Sequence, residues 1–376
     1  MSATAPPTEA PPSQAPRSAS TGRKKVRAGD KIFSGISFGA GAVILAVLGA
    51  VALFLLIKAF PALTASSEDV AAAAPFTLGH GFWAFAGITI FGTLLAAIIA
   101  LIIAVPFAIC ISLFISHYAP RKLAQVLGYI IDLLAAIPSV VFGLWGMHML
   151  EPLLRPAFTW VSETFQPLLA WIAGRPGDRR AGESADQWYG GLPGFSYMAE
   201  HHDWWPLTPN LLDFTPPARN ILMGGLVLAI MILPIITSLC REVFLQTPRL
   251  QEEASLALGA TRWEMIKQTV LPFGRSGMVS AAMLGLGRAL GETMALLMVL
   301  SPGLAVNFWL MSPGQHTTIA SQIAAKFPEA HASGNPVAGQ EVLIAIGLML
   351  FIVTFVVNYI SRAIVARYAE FSGANA

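Results

Sequence analysis

Residues 83–115 read WAFAGITIFGTLLAAIIALIIAVPFAICISLFI, a run without one charged side chain. At 1.5 Å of rise per residue, a helix needs about 20 apolar residues to cross the hydrocarbon of a bilayer, and this run is longer. It predicts a membrane span. The composition agrees: 55% of the 376 residues are hydrophobic and only 12% are charged, about half the charged share of an ordinary soluble domain. That balance excludes a water-soluble globular enzyme as the first reading, and a net charge of +2 gives no reason to expect nucleic acid as a partner.

Working outward, five more long apolar stretches lie at 34–57, 123–150, 220–240, 277–300 and 342–361, and the charges inside all six are Asp132, Arg288 and Glu292 alone. The expected fold class is an all-α integral membrane protein of six transmembrane helices, with an enlarged external loop, 151–219, between spans three and four. The first stretch is too long for the apolar core of a signal peptide and is read as a retained span. Residues 1–33 precede it as a tail: an Ala/Pro/Ser/Thr-rich segment that cannot bury enough surface to order itself, then the basic run Arg23, Lys24, Lys25, Arg27 and Lys31. The layout is thus a tail at 1–33, the first span and an external loop at 34–82, a core at 83–365 and a C-terminal tail at 366–376.

Lys and Arg number 15 in the two tails and the segments 116–122 and 241–276, against seven on the opposite side. Five of those seven lie in the long 151–219 loop, which is exempt from the positive-inside rule, so the short segments decide and place both termini in the cytoplasm. The loop carries Trp160, Trp171, Trp188, Trp204 and Trp205. Such aromatics favour the membrane interface, so the loop is read as an interface-lying cap or a docking surface. Arg155, Glu163, Pro156 and Pro167 argue against a seventh span in its first part.

Between spans four and five, residues 247–272 read TPRLQEEASLALGATRWEMIKQTVLP. Thr247 suits an N-cap with Pro248 at the first helical position, where its missing N–H costs nothing. Gly259 stops that helix, Thr261 and Glu264 have the spacing of a capping box, and Pro272 is expected to end the second helix. The result is a hairpin on the cytoplasmic side, either a plain connection or a docking knob.

In the fifth stretch, GMVSAAMLGLGRALGETMALLMVL, Arg288 and Glu292 lie four apart and would share a helical face. Arg288 is about 18 Å beyond Ser276 along a helix, near the middle of the bilayer. A charge there costs from about 2.5 to more than 10 kcal/mol, so it faces a bundle interior or a wet path. Two readings stand: a way-station for an anion, which the planar guanidinium fork suits, or a permanent ion pair that fixes helix packing, aided by Gly287 and Gly291 in a G-x-x-x-G spacing.

Glu253-Ala254-Ser255, Gly259 and Leu271-Pro272 resemble the E-A-A loop of ABC-importer permeases. Ser255 stands where the motif has a third alanine, and Thr269 where it has isoleucine. The run from Gly285 to Ala295 (GLGRALGETMA) and the run from Ala136 to Gly143 (AIPSVVFG) resemble the fifth and third spans of the phosphate-specific PstC permeases. The resemblance covers roughly residues 85–365 and implies the type I ABC-importer permease fold. It further implies that Arg288, Glu292 and Thr293 line the phosphate pathway. It makes Glu253 the polar contact to an ATP-hydrolysing subunit, Ala254 a small residue allowing close approach, Gly259 the bend that aims the knob, and Leu271-Pro272 the end of the coupling segment. The implied partners are a homologous second permease, two copies of a cytoplasmic ATP-binding subunit and an external phosphate-binding protein, in a bacterial plasma membrane. The chain has no G-x-x-x-x-G-K-[ST] phosphate loop, so ATP hydrolysis is assigned to a partner, and no cofactor is expected. An ion-coupled secondary transporter in which Asp132 and the Arg288/Glu292 pair carry a proton cycle, an ABC permease for another oxyanion or small solute, and a membrane scaffold or sensor using the large outer loop are the rival classes.

Other residues are read more plainly. Cys110 and Cys240 are expected to be small buried residues. Asp132 is read as snorkelling or pairing helices. His201-His202-Asp203 is a weak metal cluster. Gly274-Arg275-Ser276-Gly277 matches an intramembrane protease motif, but span six has no histidine to act as its base.

Overall fold

The four alanines Ala96, Ala100, Ala104 and Ala108 recur every fourth residue and are all buried, so they form one small-residue face of a long helix. The computed structural model describes residues 28–172, 211–330 and 339–369, and every regular element among them is helical. The predicted disordered segment before residue 28, the loop tryptophans Trp188, Trp204 and Trp205, and the His201-His202-Asp203 cluster lie outside the described residues.

In chain order the helices are α1 (Ala28–Thr64), α2 (Ser67–Ala73), α3 (Phe82–Leu113), α4 (Arg121–Ala135), α5 (Ser139–Trp145) and α6 (Glu151–Ile172). They continue with α7 (Ile221–Leu245), α8 (Arg249–Ala257), α9 (Arg262–Met265), α10 (Leu271–Leu290), α11 (Met294–Val299), α12 (Ile319–Lys326) and α13 (Gly339–Ala369). The N-terminal unit ends at Leu53, within α1. It exposes Phe33, Phe38, Ile44 and Leu48, an apolar surface all round that suits lipid contact.

In the second unit, from Phe54 onward, the alanine face of α3 packs against α7 and α10 to form the main core, with Leu228, Ile232 and Ile236 of α7 buried against it. Small residues let these backbones approach closely, which is how helices associate where lipid removes the hydrophobic driving force. A second apolar cluster joins the last turns of α1 to α2, to the start of α3 and to α13 through Ala59, Val70, Phe85 and Ile346. Asn220 caps α7, accepting the Met223 N–H at 2.9 Å while its amide donates to Met311 O at 2.7 Å.

Among the described residues four helices are long and apolar enough to cross a membrane: Phe33–Thr64, Phe82–Tyr118, Ile221–Leu245 and Gly339–Val365. The predicted third span is broken instead of straight. Arg121–Ala135 and the helix beginning at Ser139 meet at 93°, because Pro138 lacks an N–H and steers the residue before it away from the helical region. Beyond the break the helix does not stop at residue 150. It passes through a π-helical turn at Gly146–Leu150 into α6, 22 residues inside the predicted external loop. Arg155 forks onto both Glu151 oxygens at 2.9 Å and the Ala218 N–H donates to Glu151 at 2.9 Å. Those contacts offset the charges that made the segment look like a loop.

The predicted fifth span is also two pieces, since α10 ends at Leu290 and α11 begins at Met294. Two boundary expectations and one burial expectation need correction. Pro272 does not end the second hairpin helix: a π-helical turn at Ile266–Val270 leads into α10 and Pro272 sits in its first turn, where no N–H is required. Thr247 is not the cap of α8; Pro248 is. Cys240 is buried, but Cys110 lies on the exposed face of α3, which in lipid is an ordinary place for a small apolar side chain.

Candidate functional site

Glu292 is buried in the break between α10 and α11, and its Oε1 accepts the Ala295 N–H at 3.2 Å. At the other end of α11, Arg219 Nη2 donates to the carbonyls of Met298 at 3.1 Å and Leu300 at 3.4 Å. A carboxylate at the N-terminus and a guanidinium at the C-terminus both complement the helix dipole. Thr293 is half-buried and its hydroxyl donates to Gly291 O at 3.3 Å. The short helix is also clamped from the side: a Cβ on Gly143 of α5 would stand 2.9 Å from Ala295 Cα. The helix that follows the bend at Pro138 and the helix that follows the break after Gly291 therefore pack against each other.

With its carboxylate committed to the backbone, Glu292 does not pair with Arg288. Ion pairs among the described residues are Glu151–Arg155 and Lys326–Glu329, and His117 Nε2 lies 3.4 Å from Glu252. The permanent Arg288–Glu292 pair weighed from the sequence is thus not formed. Gly287 and Gly291 do not make a helix contact either: nothing stands within 4 Å of a Cβ on Gly287, and Gly291 lies outside the helix.

Arg288 is exposed and lines a cleft of about 840 Å³ between α10 and α13, with Ile235 of α7 at one wall. Its polar lining is Ser280, Arg288, Thr354, Asn358, Ser361 and Arg362, with no acidic side chain among the lining residues. The α13 group was missed from the sequence. A polar residue near the end of an apolar stretch reads as an anchor, and nothing in its spacing tells which neighbouring helix it meets.

The hairpin stands apart from this cleft. Gly259 has φ +90°, a conformation that favours glycine, and its N–H closes the end of α8 on Leu256 O at 3.0 Å. The expected capping box of α9 is present, with Thr261 and Glu264 bonding reciprocally. The Thr261 N–H and hydroxyl hold the Glu264 carboxyl below the usual carboxylate range. Glu253 and Ala254 both face outward, as do Leu250, Leu258 and Trp263, while Leu271 and Pro272 are half-buried at the root of α10. An apolar rim around an exposed acid is the composition of an interface rather than of a bare loop. At its base, Glu252 meets His117 Nε2 at 3.4 Å, a tie to the end of α3 that the sequence did not suggest. Asp132 is exposed on α4 beside Leu133 and joins no ion pair among the described residues.

Residues 104–370 match the family described as binding-protein-dependent transport system inner membrane component. The chain is 37% identical over 346 residues to the phosphate transport system permease protein PstC 2 of Mycobacterium bovis, covering 91% of this chain and 93% of that one. It is 37% identical over 315 residues to the PstC permease of Mycobacterium leprae, covering 83% and 86%. Among solved structures, the methionine ABC transporter MetNI in inward-facing conformations aligns over 75% of this chain and 93% of its own, at 16% identity and a TM-score of 0.42. By the family match and by these PstC relatives, the chain belongs to the PstC-type permeases among the inner-membrane components of binding-protein-dependent transport systems.

Proposed function

We propose that this chain is the membrane-spanning permease subunit of an ATP-driven importer that moves inorganic phosphate into the cytoplasm by alternating access. The observation that carries the reading is the unpaired Arg288 guanidinium, open to a cleft whose lining includes no acid. A planar fork of donors matches a phosphate oxyanion, and an unpaired arginine inside the hydrocarbon layer is retained at a cost of at least about 2.5 kcal/mol. The PstC relatives support phosphate as the solute.

In this reading the chain crosses the membrane six times with both termini in the cytoplasm, counting the two broken helices as spans. A homologous second permease covers the open side of the cleft, and an external binding protein delivers phosphate. Two cytoplasmic ATP-binding subunits seat the α8–α9 hairpin through Glu253, Ala254 and the exposed leucines, and Gly259 aims it. Glu292 and Thr293 hold the outer half-helix beside the passing ion, Glu292 through the Ala295 N–H. Leu271 and Pro272 carry hairpin movement directly into α10, the helix that bears Arg288.

The test is labelled-phosphate uptake in cells lacking their own high-affinity importer, supplied with this chain and its partner subunits. Uptake is expected to need every partner, to resist excess sulfate and to fall at least about ten-fold in Arg288→Gln, the worth of a charge-assisted contact. Unchanged flux in that variant would demote Arg288 to packing, and sulfate competition would replace the solute.

A further inference from the structure

Arg362 opens onto the same cleft as Arg288, and the geometry points to it as a second holding point for a phosphate-type oxyanion, on the cytoplasmic side of Arg288; this deepens the phosphate reading and rests on it. The donors in the cleft decide the matter. Ser280 donates to Ser276 O at 2.8 Å, Thr354 to Leu350 O at 2.7 Å and Ser361 to Val357 O at 2.6 Å, so all three hydroxyl protons are spent on their own helices. The unspent donors are the Asn358 amide and the two guanidinium groups. Asn358 and Arg362 stand four apart on α13 and share a face, and both are exposed. Neither they nor Arg288 forms a hydrogen bond or ion pair among the described residues.

A cleft whose charged groups are two guanidiniums, with no acid among its lining residues, favours an anion, and the planar guanidinium fork suits a phosphate-type oxyanion. Along α13 the lining runs from Thr354 to Val365, about 16 Å at 1.5 Å per residue. Arg362 lies about 12 Å from Thr354 by the same rise. Arg288 and Arg362 stand on different helices of the cleft, and in this proposal Arg362 is a separate stop rather than a second finger on an ion fixed at Arg288. Its position near the cytoplasmic end of the last span makes it the stop from which phosphate leaves. A phospholipid headgroup presents the same chemistry at the same depth, so the two sources have to be separated.

The experiment uses the assembled transporter in vesicles with ATP inside and the binding protein outside. Phosphate preloaded into the vesicle is expected to slow wild-type uptake by rebinding at the exit. Arg362→Gln is expected to need about ten-fold more internal phosphate for the same slowing, with Arg362→Lys between the two, showing that charge is what matters. A parallel series varies the anionic phospholipid content. If a headgroup is the ligand, the lipid dependence of uptake disappears in Arg362→Gln and internal phosphate acts equally on both proteins. If Arg362→Gln keeps wild-type uptake, phosphate sensitivity and lipid response, the second site is wrong while the Arg288 reading stands. If the wild-type complex takes up no phosphate, the phosphate reading falls first.

Discussion

Glu292 shows how one misplaced assumption about a helix changes the role of a residue. Four-residue spacing puts it beside Arg288 only if the helix continues, and α10 stops at Leu290. The carboxylate instead satisfies the Ala295 N–H, a backbone donor that would otherwise be buried without a partner. Glu292→Gln keeps an acceptor oxygen there and Glu292→Leu does not. The leucine variant is expected to lose about 1–3 kcal/mol of stability, the cost of an unmet buried donor, and the glutamine variant clearly less. Thermal unfolding of the purified complex measures both, and equal losses would show that the hydrogen bond is not what matters. Arg288 itself was legible in the sequence, because a charge in the middle of an apolar run is costly enough to need a purpose. Arg362 was not, since a cation at the end of a span is what topology expects whether or not it faces a cleft.

Among the elements, the elbow and the second cap of the hairpin were legible because such features are local chemistry, although Thr247 is not the cap of α8. Gly259 at φ +90° and the Thr261–Glu264 box both follow from residues within a few positions of each other. Proline was harder to read. Pro138 bends the chain by 93° while Pro272 sits quietly in the first turn of α10, and the difference lies in the π-helical turn at Ile266–Val270 that precedes the latter. A proline's neighbours can be read from sequence, but whether the preceding turn accommodates its missing N–H depends on the helix it joins. Gly259→Val should cost about 1–3 kcal/mol locally, because a β-branched residue does not tolerate positive φ. The hairpin is then expected to lose its aim, so that the complex hydrolyses ATP with several-fold less phosphate moved per ATP. Simultaneous measurement of ATP hydrolysis and uptake in vesicles checks this, and an unchanged ratio would rule out the elbow as the coupling element.

For the whole molecule, hydrophobic blocks specify that the chain enters the bilayer, while the asymmetry of Lys and Arg specifies which way round. The two kinds of information come from different residues and fail independently. The breaks at Pro138 and after Gly291 show that a block can be apolar throughout without being one straight helix, so span counting alone leaves the orientation of later segments open. The charge argument nevertheless makes a direct prediction. Leu258, at the tip of the hairpin, and Leu78, in the turn between α2 and α3, are 90% and 74% exposed, and the proposed topology puts them on opposite sides of the membrane. In a background with Cys110 and Cys240 replaced by alanine, Leu78→Cys should react in intact spheroplasts with a membrane-impermeant maleimide. Leu258→Cys should react only once the membrane is opened. Labelling of Leu258→Cys from outside would reverse the hairpin, and with it the docking of any ATP-binding subunit. Labelling of both positions from one side would show that the chain crosses the membrane an even number of times between residues 78 and 258, which would overturn the three crossings proposed for α3, the bent α4–α6 segment and α7.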